Sequence, residues 1–226
     1  MLDGNEGLGQ SPLLSIVLLG ALTLLPFVFM TTTSFVKISV VFSILRNALG
    51  TGQVPSGMVI SALAAILSLY VMAPVGEEMI AAAAPASAQI DTANPLATAD
   101  ALFEAVELGF EPLRQFLERN AGRDELLLFR DLRRQSGSLN AADVTEHDVL
   151  VVLPAFVITE LSEAFQIGFL IFLPFLVIDM VVANVLLALG MQMLNPTQVS
   201  MPFKLLLFVL VNGWFLLSRA LVLGYV

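Results

Sequence analysis

The sequence predicts an all-α, membrane-associated protein built from helical hairpins, with about four apolar helices. Of its 226 residues, 58% are hydrophobic and only 13% are charged, whereas an ordinary soluble domain is about half apolar and about a quarter charged. The apolar residues form several stretches of about 18 or more, close to the roughly 20 that a helix needs to cross a bilayer. A polar region between them has apolar residues at helical spacing. These observations favour a single integral membrane unit.

Residues 1–76 are predicted to form a first apolar hairpin with two membrane spans, at residues 13–30 and 58–75. Acidic residues precede the first span, where a cleavable signal would carry basic ones, so we expect this span to be retained. A proline and a glycine at residues 74–76 are expected to close the second span.

A shorter helix lies between these two spans. It begins at Phe35, after a run of Thr and Ser residues, and ends at Gly50, a residue type that commonly terminates helices. Lys37 and Arg46 flank its apolar centre. No acidic residue lies near this helix, so the positive-inside rule assigns its side of the protein, together with Lys204, to the cytoplasm.

Residues 77–148 are predicted to be a soluble amphipathic helical insertion on the periplasmic side. Residues 81–100 are rich in Ala, Pro and Ser, which suits a linker or a loosely held helix end. From residue 101 to 134 the apolar residues recur at a helical period, and Pro112 predicts a kink or a break. The net charge of the chain is −9, which argues against nucleic acid as a partner.

Residues 149–226 are predicted to form a second apolar hairpin. Its spans are residues 167–189, with a kink at Pro174, and residues 201–222. The stretch that joins these spans, residues 190–196, contains a glycine, an Asn-Pro pair and two methionines, and this composition indicates a constrained turn.

Met191 and Met193 lie two residues apart in this turn, where side chains are usually polar. Two interpretations are open. The methionines either fill a gap at a helix end, or they form a seal that deforms when something passes, because an unbranched thioether is flexible.

Charged side chains inside the apolar stretches are the other candidates for function. An unpaired ion in hydrocarbon is costly, so we expect these groups to pair between helices or to line water. Three explanations remain open: ion pairs that fix helix register, an ion or proton pathway, and snorkelling to the interface. The acids are Glu160, Glu163 and Asp179, and the bases are Lys37, Arg46, Lys204 and Arg219.

Enzyme motifs are missing from the sequence. It has no phosphate-binding loop, no dinucleotide fingerprint and no HExxH. Its single histidine, His147, lies in a polar stretch and is expected at the surface. The absence of cysteine excludes disulfides and thiolate metal sites. We therefore expect no catalysis, no cofactor and no metal.

Several stretches resemble the FliP/SctR family of the bacterial type III secretion export apparatus, which flagella and injectisomes share. The resemblance covers residues 26–76 and 153–224 and leaves the insertion without a recognisable motif. The stretches are TSFVKISVVFSILRNALGTGQVP, SLYVMAPVG, ELSEAFQIGFLIFLPFLVIDMVVANVLLALGMQML and MPFKLLLFVLVNGW.

This resemblance implies a core pore-forming subunit that mediates protein secretion across the bacterial inner membrane, as a multi-pass protein within the secretion basal body. Five copies would form a helical ring around a narrow channel, with their hairpins in a cone largely above the bilayer. The implied partners are SctS/FliQ-like and SctT/FliR-like subunits, SctU/FlhB-like and SctV/FlhA-like proteins, and unfolded secreted proteins. The alternative function is a small-solute or ion transporter or channel subunit, for which internal repeats and a polar path are expected.

The resemblance also assigns the turn after residue 189 to a methionine-rich gasket loop, so that Met191, Gln192 and Met193 become candidate pore residues. The chain departs from the family pattern at Gln192, where a third methionine is usual, and at Asn212, where an acid is usual. It also departs at Ser56 and at the Ser162-Glu163 pair. The acidic start of the chain favours the injectisome branch over the flagellar one.

Overall fold

The computed structural model describes residues 12–52, 54–88, 95–136 and 144–225, and every regular element in these ranges is a helix. The prediction of an all-α fold is therefore confirmed. Residues 1–11, whose acidic side chains supported a retained first span, and residues 89–94 of the expected linker lie outside the described ranges. The helices are α1 (Pro12–Thr32), α2 (Phe35–Leu49), α3 (Gly57–Ser87), α4 (Pro95–Asn120), α5 (Arg123–Gln135), α6 (Val149–Ala188), α7 (Pro196–Leu210) and α8 (Gly213–Leu223).

Helix α2 lies at the centre of the fold. Its apolar face packs against α3 and α6 and, near its C-terminal end, against α7. The helix ends as predicted at Gly50, which takes a left-handed φ of 71° and donates its amide hydrogen to the carbonyl of Asn47 at 3.1 Å. The buried residues of this face are Ile38, Val41, Phe42, Leu45, Ala48 and Leu49.

Helix α6 is a single helix of 40 residues, about 60 Å long at a rise of about 1.5 Å per residue. This is about twice the hydrocarbon thickness of a bilayer, so only part of it can lie within one. The first third is covered by α4 and α5, whereas most side chains after Gly168 are exposed. The predicted segments 149–166 and 167–189 are thus one helix, which continues through Pro154 and Pro174.

Helix α3 extends beyond its predicted end. The sequence placed that end at the proline and glycine of residues 74–76, but the helix continues to Ser87. A proline inside a helix removes one backbone hydrogen bond and crowds the carbonyl four residues earlier, but the alanines of residues 81–84 are strong helix formers. Val75 and Met79 of the extended helix pack against α4 around Leu113. This packing and the alanines outweigh the local helix-breaking signal.

Two other breaks differ from the prediction. Helix α4 continues through Pro112, and the chain turns instead at Gly122, before α5. The predicted fourth span, residues 201–222, is divided into α7 and α8, whose axes are bent by 61°. Asn212 at this bend has a left-handed φ of 53°, a conformation that asparagine adopts more readily than most residues.

The described residues contain two helices, α3 and α6, that are each long and apolar enough to cross a membrane. Two bent pairs pass the same criteria, Leu22–Thr32 with α2 at 71° and α7 with α8 at 61°. The structure therefore offers two to four candidate spans, where the sequence predicted about four.

Helices α2 and α6 run parallel and approach closely where Gly168 faces Ile44. A Cβ built on Gly168 would lie 2.3 Å from Cδ1 of Ile44, far inside the separation of about 3.5–4.0 Å that two carbon atoms prefer. The two helices can therefore approach this closely only because residue 168 has no side chain.

Replacing Gly168 with alanine is expected to destabilise the protein by about 1–3 kcal/mol, the usual cost of overpacking. The measurement is the thermal unfolding midpoint in detergent, followed by far-ultraviolet circular dichroism. Gly76 provides a matched control, because it also lies inside a long helix but has nothing within 4 Å of a built Cβ. Gly76→Ala should leave stability unchanged or raise it, and adding Ile44→Val to Gly168→Ala should recover part of the loss. An unaltered midpoint in Gly168→Ala would contradict this close approach.

Candidate functional site

A first cluster of buried charges joins α2 to the first half of α6, and we call it the Lys37 cluster. Nζ of Lys37 lies 2.8 Å from a carboxylate oxygen of Glu160 and 2.7 Å from one of Glu163. The two glutamates are three residues apart on a helix, so both reach the same side of α2. The Glu160 side chain is 0% exposed and that of Glu163 is 49% exposed. Glu160 therefore depends on Lys37 for its counter-charge, whereas Glu163 also meets solvent.

Tyr225 belongs to the same cluster. Its hydroxyl donates a hydrogen bond to Glu160, and Nζ of Lys37 lies 4.3 Å from the centre of its ring. The ring also stacks on Phe116 of α4, with 5.9 Å between centroids. Tyr225 thus links the charged cluster to the insertion. Sequence reasoning missed this residue, because nothing in its local pattern distinguishes it.

A second cluster, the Lys204 cluster, joins α6, α7 and the C-terminal end of α2. Nζ of the buried Lys204 lies 2.6 Å from a carboxylate oxygen of Asp179 and donates to the carbonyl of Ala48 at 3.0 Å. The hydroxyl of Ser200 donates to the other oxygen of Asp179. The ammonium group also benefits from the partial negative charge of a helix C-terminus. Ser200 precedes Lys204 by four residues, a spacing that places both on one helix face and could have revealed it.

Helices α6 and α7 form an antiparallel hairpin closed by residues 189–195. Gly190 takes a φ of 74°, as the end of a helix often requires. The amides of Met191 and Gly190 donate to the carbonyls of Leu186 and Leu187 at 2.9 Å and 3.0 Å. This is the hydrogen-bond pattern of a Schellman cap, so the loop leaves α6 in a defined direction.

The other end of this loop is also capped. The side-chain oxygen of Asn195 accepts a hydrogen bond from the amide of Thr197 at 3.0 Å, the usual arrangement at a helix N-terminus. Between the two caps Met193 is 100% exposed and Met191 is 48% exposed, and Gln192 is exposed as well. The three predicted gasket residues therefore lie together at the tip of a hairpin whose backbone is fixed on both sides.

Two arginines in the apolar helices have no acidic partner within the described residues. Arg46 lies beside the start of α3, with its guanidinium 3.6 Å from a Cβ built on Gly57. Arg219 lies on α8 and is exposed. The sequence placed Lys37 and Lys204 on the same side of the membrane. In the structure Lys37 lies at the start of α2, and Lys204 of α7 contacts Ala48 at the other end of α2.

The insertion carries a more exposed network of charges. Arg114 lies 2.7 Å from Glu111 and 3.1 Å from Glu118. The hydrogen bond from Arg114 lowers the pKa of Glu111, and the same bond raises the pKa of Arg114. His147 lies 3.2 Å from Glu118 and is mostly exposed, as the sequence predicted. Exposed pairs of this kind contribute at most about 1 kcal/mol each. Among the described residues, no group of His, Asp or Glu side chains is arranged to hold a metal ion.

Comparison with known proteins adds independent evidence. The FliP family profile matches residues 18–221 of this chain. Yop proteins translocation protein R of Yersinia pestis is 47% identical over 215 residues, covering 93% of this chain and 94% of that protein. Hypersensitivity response secretion protein HrcR of Ralstonia nicotianae is 43% identical over 216 residues, with 93% and 95% covered. Flagellar biosynthetic protein FliP of Cereibacter sphaeroides is 46% identical over 222 residues, covering 96% of this chain but 69% of that protein.

The Lys204 cluster predicts a specific pattern of stabilities. Replacing Lys204 with methionine is expected to destabilise the protein by about 1–3 kcal/mol, because Asp179, whose side chain is 27% exposed, loses its counter-charge and keeps only part of its solvation. Asp179→Leu should cost a similar amount, since it leaves the buried ammonium unpaired. The double variant should be more stable than either single variant because neither charge remains. The unfolding midpoints of the four proteins test this, and strictly additive losses would show that the two residues do not interact.

The Lys37 cluster predicts unequal roles for its two acids. Glu160→Gln should destabilise the protein by at least about 1 kcal/mol more than Glu163→Gln, because a fully buried hydrogen-bonded charge contributes more than a half-exposed one. The two variants make the same chemical change three residues apart on one helix and serve as mutual controls. Equal losses in a urea or thermal titration would contradict the assignment of Glu160 as the principal partner of Lys37.

Proposed function

The chain belongs to the FliP family, and from this we propose that several copies of it form the wall of a protein-conducting pore. Its relatives are named for protein translocation and secretion, so the chain is a component of the type III secretion export apparatus. The two secretion proteins and the flagellar protein are about equally similar to the chain, at 47%, 43% and 46% identity, so its place in the injectisome branch stays a prediction.

The distribution of exposed apolar side chains supports assembly in the bacterial inner membrane. Helix α1, the second half of α6, α7 and α8 carry many large apolar side chains that the single chain leaves uncovered. A soluble monomer rarely exposes such continuous apolar surface. We propose that a ring of five copies covers part of it, and that lipid, SctS/FliQ-like and SctT/FliR-like subunits cover the rest. SctU/FlhB-like and SctV/FlhA-like proteins would complete the apparatus, and residues 77–148 would lie on its periplasmic side.

The observation that carries the pore proposal is the loop between α6 and α7. Its backbone is capped at both ends, while its tip presents two unbranched thioethers to the outside. A rigid backbone holds the tip in place, and flexible methionine side chains can close around one another and still yield to a passing polypeptide. In a ring of copies, Met191 and Met193 would meet at the axis and constrict the channel, with Gln192 placing an amide between them.

The Lys204 cluster would keep this gasket in position. Asp179 lies about three turns before the loop, and Lys204 about two turns after its end. Their ion pair and the bond to Ala48 hold both arms of the hairpin against α2. We propose that the paired charges set the register of the helices. The alternative of a solute or ion path is less well supported, because the buried apolar face of α2 separates the two clusters.

The gasket is tested by replacing both Met191 and Met193 with alanine. The shortened side chains should no longer meet, so the membrane should become permeable to small ions or dyes while protein secretion persists. Dye uptake and secreted protein are measured in the same cells. Met58→Ala is the control, because Met58 is 83% exposed but lies outside the loop. Gln192→Met should leave the membrane at least as tight as the wild type. An impermeable membrane in the double alanine variant would remove the gasket assignment.

A further inference from the structure

A groove between α3 and α8 combines one cation with an apolar floor. It has a volume of about 300 Å³ and is separate from both charged clusters and from the α6–α7 loop. Tyr70, Phe215 and Arg219 are exposed along it. The lining residues are Leu67, Tyr70, Phe215, Ser218, Arg219 and Val222.

The guanidinium of Arg219 has no counter-ion in the part of the chain that the structure describes. The three acids of α6 are already engaged, Glu160 and Glu163 with Lys37 and Asp179 with Lys204. The other two acids of the apolar helices, Glu77 and Glu78 of α3, are exposed and form no ion pair with Arg219 in the described part of the chain. An arginine keeps its charge at any physiological pH, and the rest of α8 is apolar apart from Ser218. A charge in such a setting is unfavourable unless an anion neutralises it. No acidic side chain among the described residues supplies that anion, so the cation is open to an anion of another molecule.

The remaining lining indicates what kind of molecule supplies the anion. The hydroxyl-bearing residues Tyr70 and Ser218 line the same groove as Arg219, and a guanidinium binds phosphate oxygens through two parallel hydrogen bonds. Leu67, Phe215 and Val222 make the rest of the groove apolar. A carboxylate of a neighbouring subunit would pair with the cation, whereas a phosphate also provides acceptors for the hydroxyl groups of Tyr70 and Ser218. A molecule with a phosphate and a hydrocarbon tail would use the cation, the hydroxyl groups and the apolar floor.

We propose that this groove binds an anionic phospholipid, with the lipid phosphate at Arg219 and an acyl chain along Leu67, Phe215 and Val222. Ser218 and Tyr70 would add hydrogen bonds to the phosphate. The proposal does not depend on the pore function, because the groove shares no lining residue with the Lys204 cluster or the methionine loop.

The test is a titration of the purified protein in neutral detergent, followed by native mass spectrometry. Phosphatidylglycerol is compared with phosphatidylcholine of the same acyl chains, and inorganic phosphate is added in a third series. The wild type should bind phosphatidylglycerol about 10-fold more tightly, as one charge-assisted interaction predicts. Arg219→Gln should remove this preference, and Arg219→Lys should keep part of it. Arg46→Gln is the matched control, because Arg46 is also an unpaired arginine of an apolar helix but lies outside the groove, and it should keep the full preference.

Several results would overturn the proposal. If the wild type binds phosphatidylglycerol and phosphatidylcholine equally, the proposal is wrong. This comparison needs no variant, so it is informative even if Arg219→Gln fails to fold. An undiminished preference in Arg219→Gln would place the lipid elsewhere. Displacement of the lipid by inorganic phosphate at equal concentration would mean that the apolar floor contributes nothing. Loss of subunit assembly in Arg219→Gln, with no lipid retained by the wild type, would assign the cation to an acidic group of another protein.

Discussion

The buried ammonium group of Lys204 requires two partners, a carboxylate oxygen of Asp179 at 2.6 Å and the carbonyl of Ala48 at 3.0 Å. These partners belong to α6 and α2, so one side chain of α7 fixes three helices at once. A shift of α2 by one turn, about 5.4 Å, would remove the carbonyl and leave the ammonium partly unsatisfied. Lys37 imposes the same condition at the other end of α2, where it needs Glu160. Helix α2 is therefore held to α6 at both ends, and its register has little freedom.

Between these two ends the packing is purely steric. Ile44 fits against Gly168 because residue 168 has no side chain, and the buried face of α2 fills the remaining space. Apolar contacts alone would allow α2 to shift along α6 by one turn, because apolar side chains of similar size can replace one another in a core at small cost. The charges supply the specificity that the apolar surface lacks. The result is a rigid base for the α6–α7 hairpin, so that flexibility at its tip is confined to side chains such as Met191 and Met193.

The features that the sequence predicted are those with local causes. Hydropathy identified the apolar helices, a glycine placed the end of α2 at Gly50, and the glycine and the Asn-Pro pair of residues 190–196 indicated the turn between α6 and α7. The features that it did not predict depend on distant parts of the chain. Helix α3 continues beyond its prolines because its last turns pack against α4. Tyr225 belongs to the Lys37 cluster because the chain after α8 brings its hydroxyl to Glu160 of α6. The pairing of these charges also could not be predicted from the sequence, because three acids and four bases can be combined in many ways.

The pairing that the structure selects separates the two kinds of cation. Lys37 and Lys204 are buried and take the three acids of α6, whereas Arg219 is exposed and Arg46 is partly exposed with its Nε buried. A lysine ammonium is compact and is satisfied by a few oxygens in a small space, whereas a guanidinium presents a planar fork that binds a carboxylate or a phosphate through two hydrogen bonds. The charges that hold α2 in register are the paired ones, although Glu163 and Asp179 keep some contact with solvent. Lys37 takes two of the three acids and Lys204 takes the third, so both arginines are left without an acidic partner among the described residues. Of the two, Arg219 is exposed and is the cation that a lipid or a neighbouring subunit can reach.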